Sequence, residues 1–210
     1  MSDTIPSDVD LAALEVDSYA DQPKGEVYDF GPDRAVITRL AAFDVLSIAG
    51  TRNMAGWVSD FEVAPATLWD HPTVGPVEKG FGEGAEALWP ILRPRLGERR
   101  LIMQGHSRGA PIMAILCRFL LDDGLFPVRC VAYEMPWGVG APCRDSILAA
   151  GIDGITYWTG NDPVPSEPNV SWLVPNVWPI QRIGAPRLLS IECHYMASVL
   201  AALTAALVPA

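Results

Sequence analysis

Short apolar, β-rich runs alternate along the chain with longer segments whose apolar residues recur at helical spacing. Val9 to Tyr19 reads as an N-terminal helix, with Leu11, Leu14 and Tyr19 on roughly one side. Glu26 to Pro32 reads as a loop, and Ala35 to Leu40 and Asp44 to Ala49 as paired strands. Gly82 to Leu96 is helix-like, with Pro90 and Pro94 expected to kink or end it, since proline removes a helical hydrogen bond. Strands follow near 100–104, 128–133, 155–159 and 188–191, alternating with helical or loop segments. This order predicts an α/β fold with a mainly parallel central sheet flanked by helices. Only about twenty residues separate Tyr133 from Ile155, which leaves no room for an inserted cap domain. We expect one domain over residues 1–210, with 1–25 as a helical lead-in. Met196 to Ala210 is apolar and uncharged but shorter than the ~20 residues of a membrane-spanning helix. It reads as the last helix of the fold.

One segment carries a chemical signature. Gly105-His106-Ser107-Arg108-Gly109 is a G-x-S-x-G pentapeptide. The apolar run Leu101 to Met103 precedes it, and the helix-like run Ala110 to Leu121 follows. Strand, G-x-S-x-G, helix is the arrangement of a nucleophile elbow, which presents a serine hydroxyl above the sheet. The two glycines avoid clashes with the neighbouring strand and helix. Pro111 falls in the first helical turn, where its missing N–H is no loss.

A serine nucleophile needs a base and an acid. The chain has three histidines, His71, His106 and His194. His106 adjoins the nucleophile on a tight turn and reads as a packed residue beneath it. His71 lies before the serine in a proline-rich stretch. His194 follows the strand-like Arg187 to Ile191, and in this fold the base comes after the serine and after the acid. His194 is therefore favoured as the base over His71. Between Ser107 and His194 lie Asp122, Asp123, Glu134, Asp145, Asp153, Asp162, Glu167 and Glu192. Asp162 stands out because it ends the strand-like Ile155 to Thr159 and sits in a loop stiffened by Pro163 and Pro165. Glu134, after the strand-like Val128 to Tyr133, is the alternative.

Four separated blocks together resemble the class 3 lipases, the family of the fungal triacylglycerol lipases. They are Ala49 to Asp60, Val77-Glu78-Lys79-Gly80-Phe81, the elbow, and Asn161-Asp162-Pro163-Val164-Pro165 followed by His194. The resemblance spans roughly Ala35 to the C-terminus. It implies an α/β-hydrolase fold, a Ser107–His194–Asp162 triad, and an oxyanion hole built from the N–H groups of Thr51 and Arg108. It also implies a short lid helix whose face carries Met54, Trp57 and Val58. Three positions depart from the family pattern. Ala49 stands where arginine is frequent, Arg108 stands where an apolar residue is usual, and Tyr133 to Gly138 replaces a Phe-Gly-x-Pro-Arg stretch. Arg108 is expected to point to solvent or to meet an anionic head group.

Composition narrows the reading. A formal net charge of −10 and a pI near 4.6 argue against nucleic-acid binding and against electrostatic adsorption to anionic membranes. Any lipid–water interface would be met through apolar contacts. The four cysteines form no C-x-x-C pair, so no zinc site is expected, and the triad chemistry needs no metal or organic cofactor. Met1 to Asp10 lacks an apolar signal region, so a cytoplasmic location is expected. The sequence thus predicts a carboxylic ester hydrolase acting on an acylglycerol, another lipid ester or a smaller ester. The alternatives are an inactive hydrolase-fold lipid-binding module, or a phospholipase or acyltransferase using the same triad.

Overall fold

The computed structural model describes residues 4–51, 64–68, 70–185 and 191–207. Helix α1 (Asp8–Ser18) opens with a capping box, in which Ser7 and Asp10 each satisfy the other's backbone N–H. Strands β1 (Glu26–Phe30), β2 (Asp33–Arg39) and β3 (Phe43–Ala49) then pair antiparallel in chain order. Strands β4 (Pro65–Thr67) and β5 (Pro76–Glu78) form a separate ribbon. Helix α2 (Lys79–Leu92) follows, capped by Glu78, whose carboxylate accepts the Phe81 N–H at 3.0 Å. The rest of the chain is β6 (Arg100–His106), α3 (Gly109–Asp122), β7 (Arg129–Tyr133), α4 (Ala141–Ala149), β8 (Gly154–Thr159), β9 (Ile180–Ile183) and α5 (Met196–Leu207).

The main sheet has the order β1-β2-β3-β6-β7-β8-β9, and every pair from β3 onward is parallel. This is the mainly parallel sheet that the strand pattern predicts, in the arrangement of an α/β-hydrolase. Its central strands are apolar on both faces, as strands covered by helices on both sides must be. Leu46, Ile48, Leu101, Met103, Cys130 and Ala132 join the core beneath α2, α3 and α4. Phe43, Val45, Ile102, Val131, Tyr133 and Tyr157 join a second core with α1 and α5. In α5, Met196, Val199 and Leu203 are the buried positions, spaced to make one stripe. No helix among the described residues is long and apolar enough to cross a membrane.

One expectation about the edges of the sheet fails, and another falls largely outside the described residues. Glu26 to Pro32 is not a loop, because Glu26–Phe30 pairs with β2 as an edge strand. Its residues are exposed or half-buried, so burial left no alternating imprint on the sequence; backbone pairing holds it. At the other edge the described sheet ends with Ile180–Ile183, where the sequence predicts no strand; of the strand expected near 188–191 only Ile191 is described. Residues 186–190 lie outside the described residues, and 191–194 form a 3₁₀ turn. The lid residues Met54, Trp57 and Val58 also lie outside the described residues. Pro90 sits in the last turn of α2, and the helix ends at Leu92, within a turn of the residue whose missing N–H removes a helical bond. Between β7 and β8 the described chain forms only α4 and its connections.

Candidate active site

The carboxyl ends of β3, β6, β7 and β8 lie side by side and lead into Thr51, Ser107, Glu134 and Asp162 respectively. Open parallel sheets place their ligands at this edge. Ser107 sits on the turn between β6 and α3 with φ of 53°, a left-handed conformation uncommon for a residue with a Cβ. The glycines on either side make the turn possible. A Cβ at Gly105 would come within 2.6 Å of the Gly109 carbonyl, and one at Gly109 would run into the Ile48 carbonyl of β3. The turn is tied down by bonds from the Ser107 N–H to the Tyr133 carbonyl (2.9 Å) and from the Ala110 N–H to the Ser107 carbonyl (3.0 Å).

The three residues singled out by chain order meet here. Ser107 Oγ lies 2.7 Å from His194 Nε2, and His194 Nδ1 lies 2.5 Å from an Asp162 oxygen. A carboxylate only accepts, so Nδ1–H donates to Asp162 and Nε2 is left to accept the Ser107 hydroxyl proton. Asp162 is fixed in its own loop. Its second oxygen accepts the Val164 N–H at 3.0 Å, and its carbonyl accepts the Trp158 indole N–H at 2.8 Å. Ser107, His194 and Asp162 are all buried. His71 lies elsewhere, stacked on Phe119 at 3.7 Å, about 18 Å along α3 from Ser107 at 1.5 Å per residue. Asp122 is engaged by Arg118, Asp145 by Arg144 and Asp153 by Arg129.

Thr51 follows β3 directly across from the elbow. Its hydroxyl is buried and has no partner among the described residues. The Arg108 N–H lies at the N-terminus of α3, where helical N–H groups have no intrahelical acceptor. The Arg108 side chain goes neither to solvent nor toward a head group. It forms a two-point pair with the buried Asp33 (2.6 and 3.1 Å) and donates to the Gly80 carbonyl at 2.8 Å. It thereby clamps the elbow to β2 and α2.

Sequence reasoning missed a brace on the other side. His106 Nε2 lies 2.7 Å from the His194 carbonyl, which only accepts, so Nε2 carries the proton. Nδ1 must then accept, and Tyr19 Oη donates to it at 2.5 Å while accepting the Gly50 N–H at 2.6 Å. One tyrosine from the end of α1 thus joins the Gly50–Thr51 segment to the loop of His194. Burial, with the nearby His194, pushes the His106 pKa well below its ordinary value and keeps the ring neutral. The G-His-Ser triplet hints at a packed histidine, but no local signal points to Tyr19.

Glu134, Asp162 and His194 each place a ligand atom within 4.8 Å of one another. Two carboxyls and an imidazole can hold a cation, yet the single lone pair of a neutral His194 is already given to Ser107. Beside Thr51 opens an apolar cavity of about 270 Å³, lined by Val16, Tyr19, His106, Tyr195 and Met196 among others.

No protein-family model and no curated protein sequence matches the chain. Its structure is similar to solved lipases. A fungal lipase superposes with TM-score 0.69 at 18% identity, over 90% of this chain and 84% of the other. The triacylglyceride lipase of Rhizomucor miehei gives 0.65 at 14% identity, over 81% and 78%. A triacylglycerol lipase whose catalytic centre is a serine protease triad gives 0.62 at 16% identity, over 75% and 72%. The chain has the α/β-hydrolase fold of these enzymes.

Proposed function

We propose that this protein is a serine hydrolase that cleaves carboxylic esters, with Ser107 as nucleophile, His194 as base and Asp162 as the acid that orients it. The observation that carries the proposal is the continuous relay Ser107–His194–Asp162, with bonds of 2.7 and 2.5 Å and donor roles fixed by chemistry. The fold shared with lipases supports it. Ser107 Oγ attacks the ester carbonyl as its proton passes to His194 Nε2. Asp162 holds the imidazole in the right tautomer and stabilises the imidazolium. The N–H groups of Thr51 and Arg108, with the Thr51 hydroxyl, stabilise the tetrahedral oxyanion. His194 returns the proton to the departing alcohol and then activates the water that releases the acid.

The substrate we propose is a lipid ester such as an acylglycerol. The apolar cavity beside Thr51 suits an acyl or alkyl chain more than a polar group. Ser107 and His194 have no exposed surface, so ester entry requires part of the chain to move. The segment with Met54, Trp57 and Val58 is our candidate for that lid, turned outward at a lipid surface.

The test is labelling by a fluorophosphonate probe, with Ser107→Ala as control, followed by p-nitrophenyl ester hydrolysis across acyl lengths. Labelling lost in Ser107→Ala, a fall in turnover of about 10⁶, and faster hydrolysis of longer acyl chains are expected. A folded protein that takes no probe in detergent would remove the enzyme reading. A short-chain optimum would remove the lipid substrate only.

A further inference from the structure

Strand β7 leads into a residue the relay does not use. Glu134 is fully buried and adopts φ of 50°, a backbone conformation disfavoured for any side chain with a Cβ. One oxygen, Oε1, accepts the Thr159 N–H at 2.6 Å. The other, Oε2, is buried and has no hydrogen bond of ordinary geometry among the described residues, and as a neutral acid Glu134 can donate toward Asp162. One Glu134 oxygen, one Asp162 oxygen and one ring nitrogen of His194 lie within 4.8 Å of one another. The two carboxyls come from neighbouring parallel strands, whose register pairs Tyr133 with Tyr157, so the sheet itself sets them side by side.

We propose that Glu134 is a second carboxyl of the relay: a positioning residue that stands behind Asp162 as a neutral acid and takes its place on His194 Nδ1 when Asp162 is removed. The inference rests on the hydrolase reading for its meaning in catalysis, and on geometry for the pair itself.

A glycine at position 134 would meet the backbone demand without strain, so the carboxyl is what a glutamate adds there. Two carboxyls this close and this buried do not both ionise, and one keeps a proton. Oε1 is occupied as an acceptor, so the proton resides on Oε2. Burial and the Asp162 charge push the Glu134 pKa well above the ordinary carboxylate range, against smaller opposing contributions from Thr159. The other groups facing the pair do not neutralise it. His194 is the base itself. His106 lies behind it, with ring centroids 4.9 Å apart, and is neutral. Arg182 of β9 reaches the Gly160 carbonyl and the Trp158 ring. Removing Asp162 removes the repulsion, lets Glu134 ionise, and leaves a carboxylate facing the Nδ1–H.

The test compares wild type, Glu134→Gln, Asp162→Ala and the double variant, each checked for folding by circular dichroism. Loss of the only acid in such a relay costs about 10⁴ in turnover. Asp162→Ala alone is expected to lose less than about 10², and the double variant to fall the full 10⁴. Glu134→Gln alone is expected to keep KM and to remove one ionisation from the pH profile of kcat while the His194 limb stays. A full loss in Asp162→Ala alone, or a profile for Glu134→Gln that superimposes on wild type, overturns the proposal. Should Asp162→Ala not fold, the second comparison decides. Should wild type take no fluorophosphonate, the hydrolase reading fails, and carbon-13 NMR still tests the pair. There the Glu134 carboxyl should titrate at lower pH in a folded Asp162 variant, Asn in place of Ala if needed. An unmoved midpoint refutes it.

Discussion

The two faces of the central sheet are built from different materials. Under α2, α3 and α4 the core is mainly apolar, with Leu88, Leu92, Ile112, Met113 and Ile115 against Ile48, Leu101 and Met103, and the Asp33–Arg108 pair is among its few charged groups. Under α1 and α5 the sheet carries buried polar groups among its apolar ones. Gln104 donates to the Ser47 hydroxyl at 2.7 Å, and Glu15 lies buried beside Ser47 and His106. The brace of Tyr19 and His106 belongs to the same side. The first face holds Ser107 chiefly by shape, through an elbow that tolerates no Cβ at Gly105 or Gly109, helped by the Arg108–Asp33 pair. The second face holds the partners of Ser107 by directed bonds, reaching the Gly50 N–H and the His194 carbonyl. Damage to the first should cost stability, and damage to the second should cost turnover.

The largest effect sought by that division is on the apolar face. Leu88 on α2 has no exposed surface. Leu88→Ala removes buried methyl groups and leaves a cavity, so a loss of about 2–5 kcal/mol is expected in denaturant unfolding. Turnover per folded molecule should stay as in wild type. A proportionate fall in turnover would break the division between the faces.

Tyr19→Phe is the complementary case. It strips the Gly50 N–H of its acceptor and His106 Nδ1 of its donor at once. Leaving buried polar groups unpaired costs about 1–3 kcal/mol each, although water reaching the half-buried hydroxyl site would reduce this. The sharper expectation is kinetic. With the Thr51 segment and the His194 loop both released, kcat should fall by about 10- to 100-fold at nearly constant KM, the scale of a reacting group slightly misplaced. A Tyr19→Phe enzyme with wild-type kcat would show that the brace only supports the fold.

The same contrast explains what the sequence made legible. The elbow could be read because its signals are local: two glycines, an apolar strand before and an apolar helix after. Asp162 could be read because prolines mark its loop, and His194 because only three histidines compete. The edge strands β1 and β9 escaped, since strands with exposed faces keep little hydrophobic period. The brace escaped because Tyr19 meets His106 across 87 positions of chain, and spacing carries no information at that range. Arg108 was misjudged for the same reason: its partner Asp33 is 75 positions away. Glu134 was visible as an alternative acid, but not as a neighbour of Asp162, because only the pairing of β7 with β8 brings the two together.

The smallest effect concerns Glu15, whose fully buried carboxyl in α1 has no hydrogen bond of ordinary geometry among the described residues. Burial pushes its pKa well above the ordinary value, with Ser47 and the His106 backbone offsetting only part. The folded state therefore binds a proton that the unfolded chain has released above about pH 4.3. The stability this group contributes is complete below that pH and is lost as pH rises toward the folded-state pKa. The slope is at most about 1.4 kcal/mol per pH unit. Glu15→Gln has nothing to titrate, so its stability should fall less steeply than wild type as pH is raised from about 4.3. His106 acts in the opposite sense, since burial lowers its pKa and its contribution is lost as pH falls below about 6.5. Its effect cancels in the difference between the two proteins, and so does that of Glu134, which Glu15→Gln leaves in place. Parallel stability curves from pH 5 to 8 would mean that Glu15 is already ionised in the fold. The polar face would then hold a charge as well as hydrogen bonds.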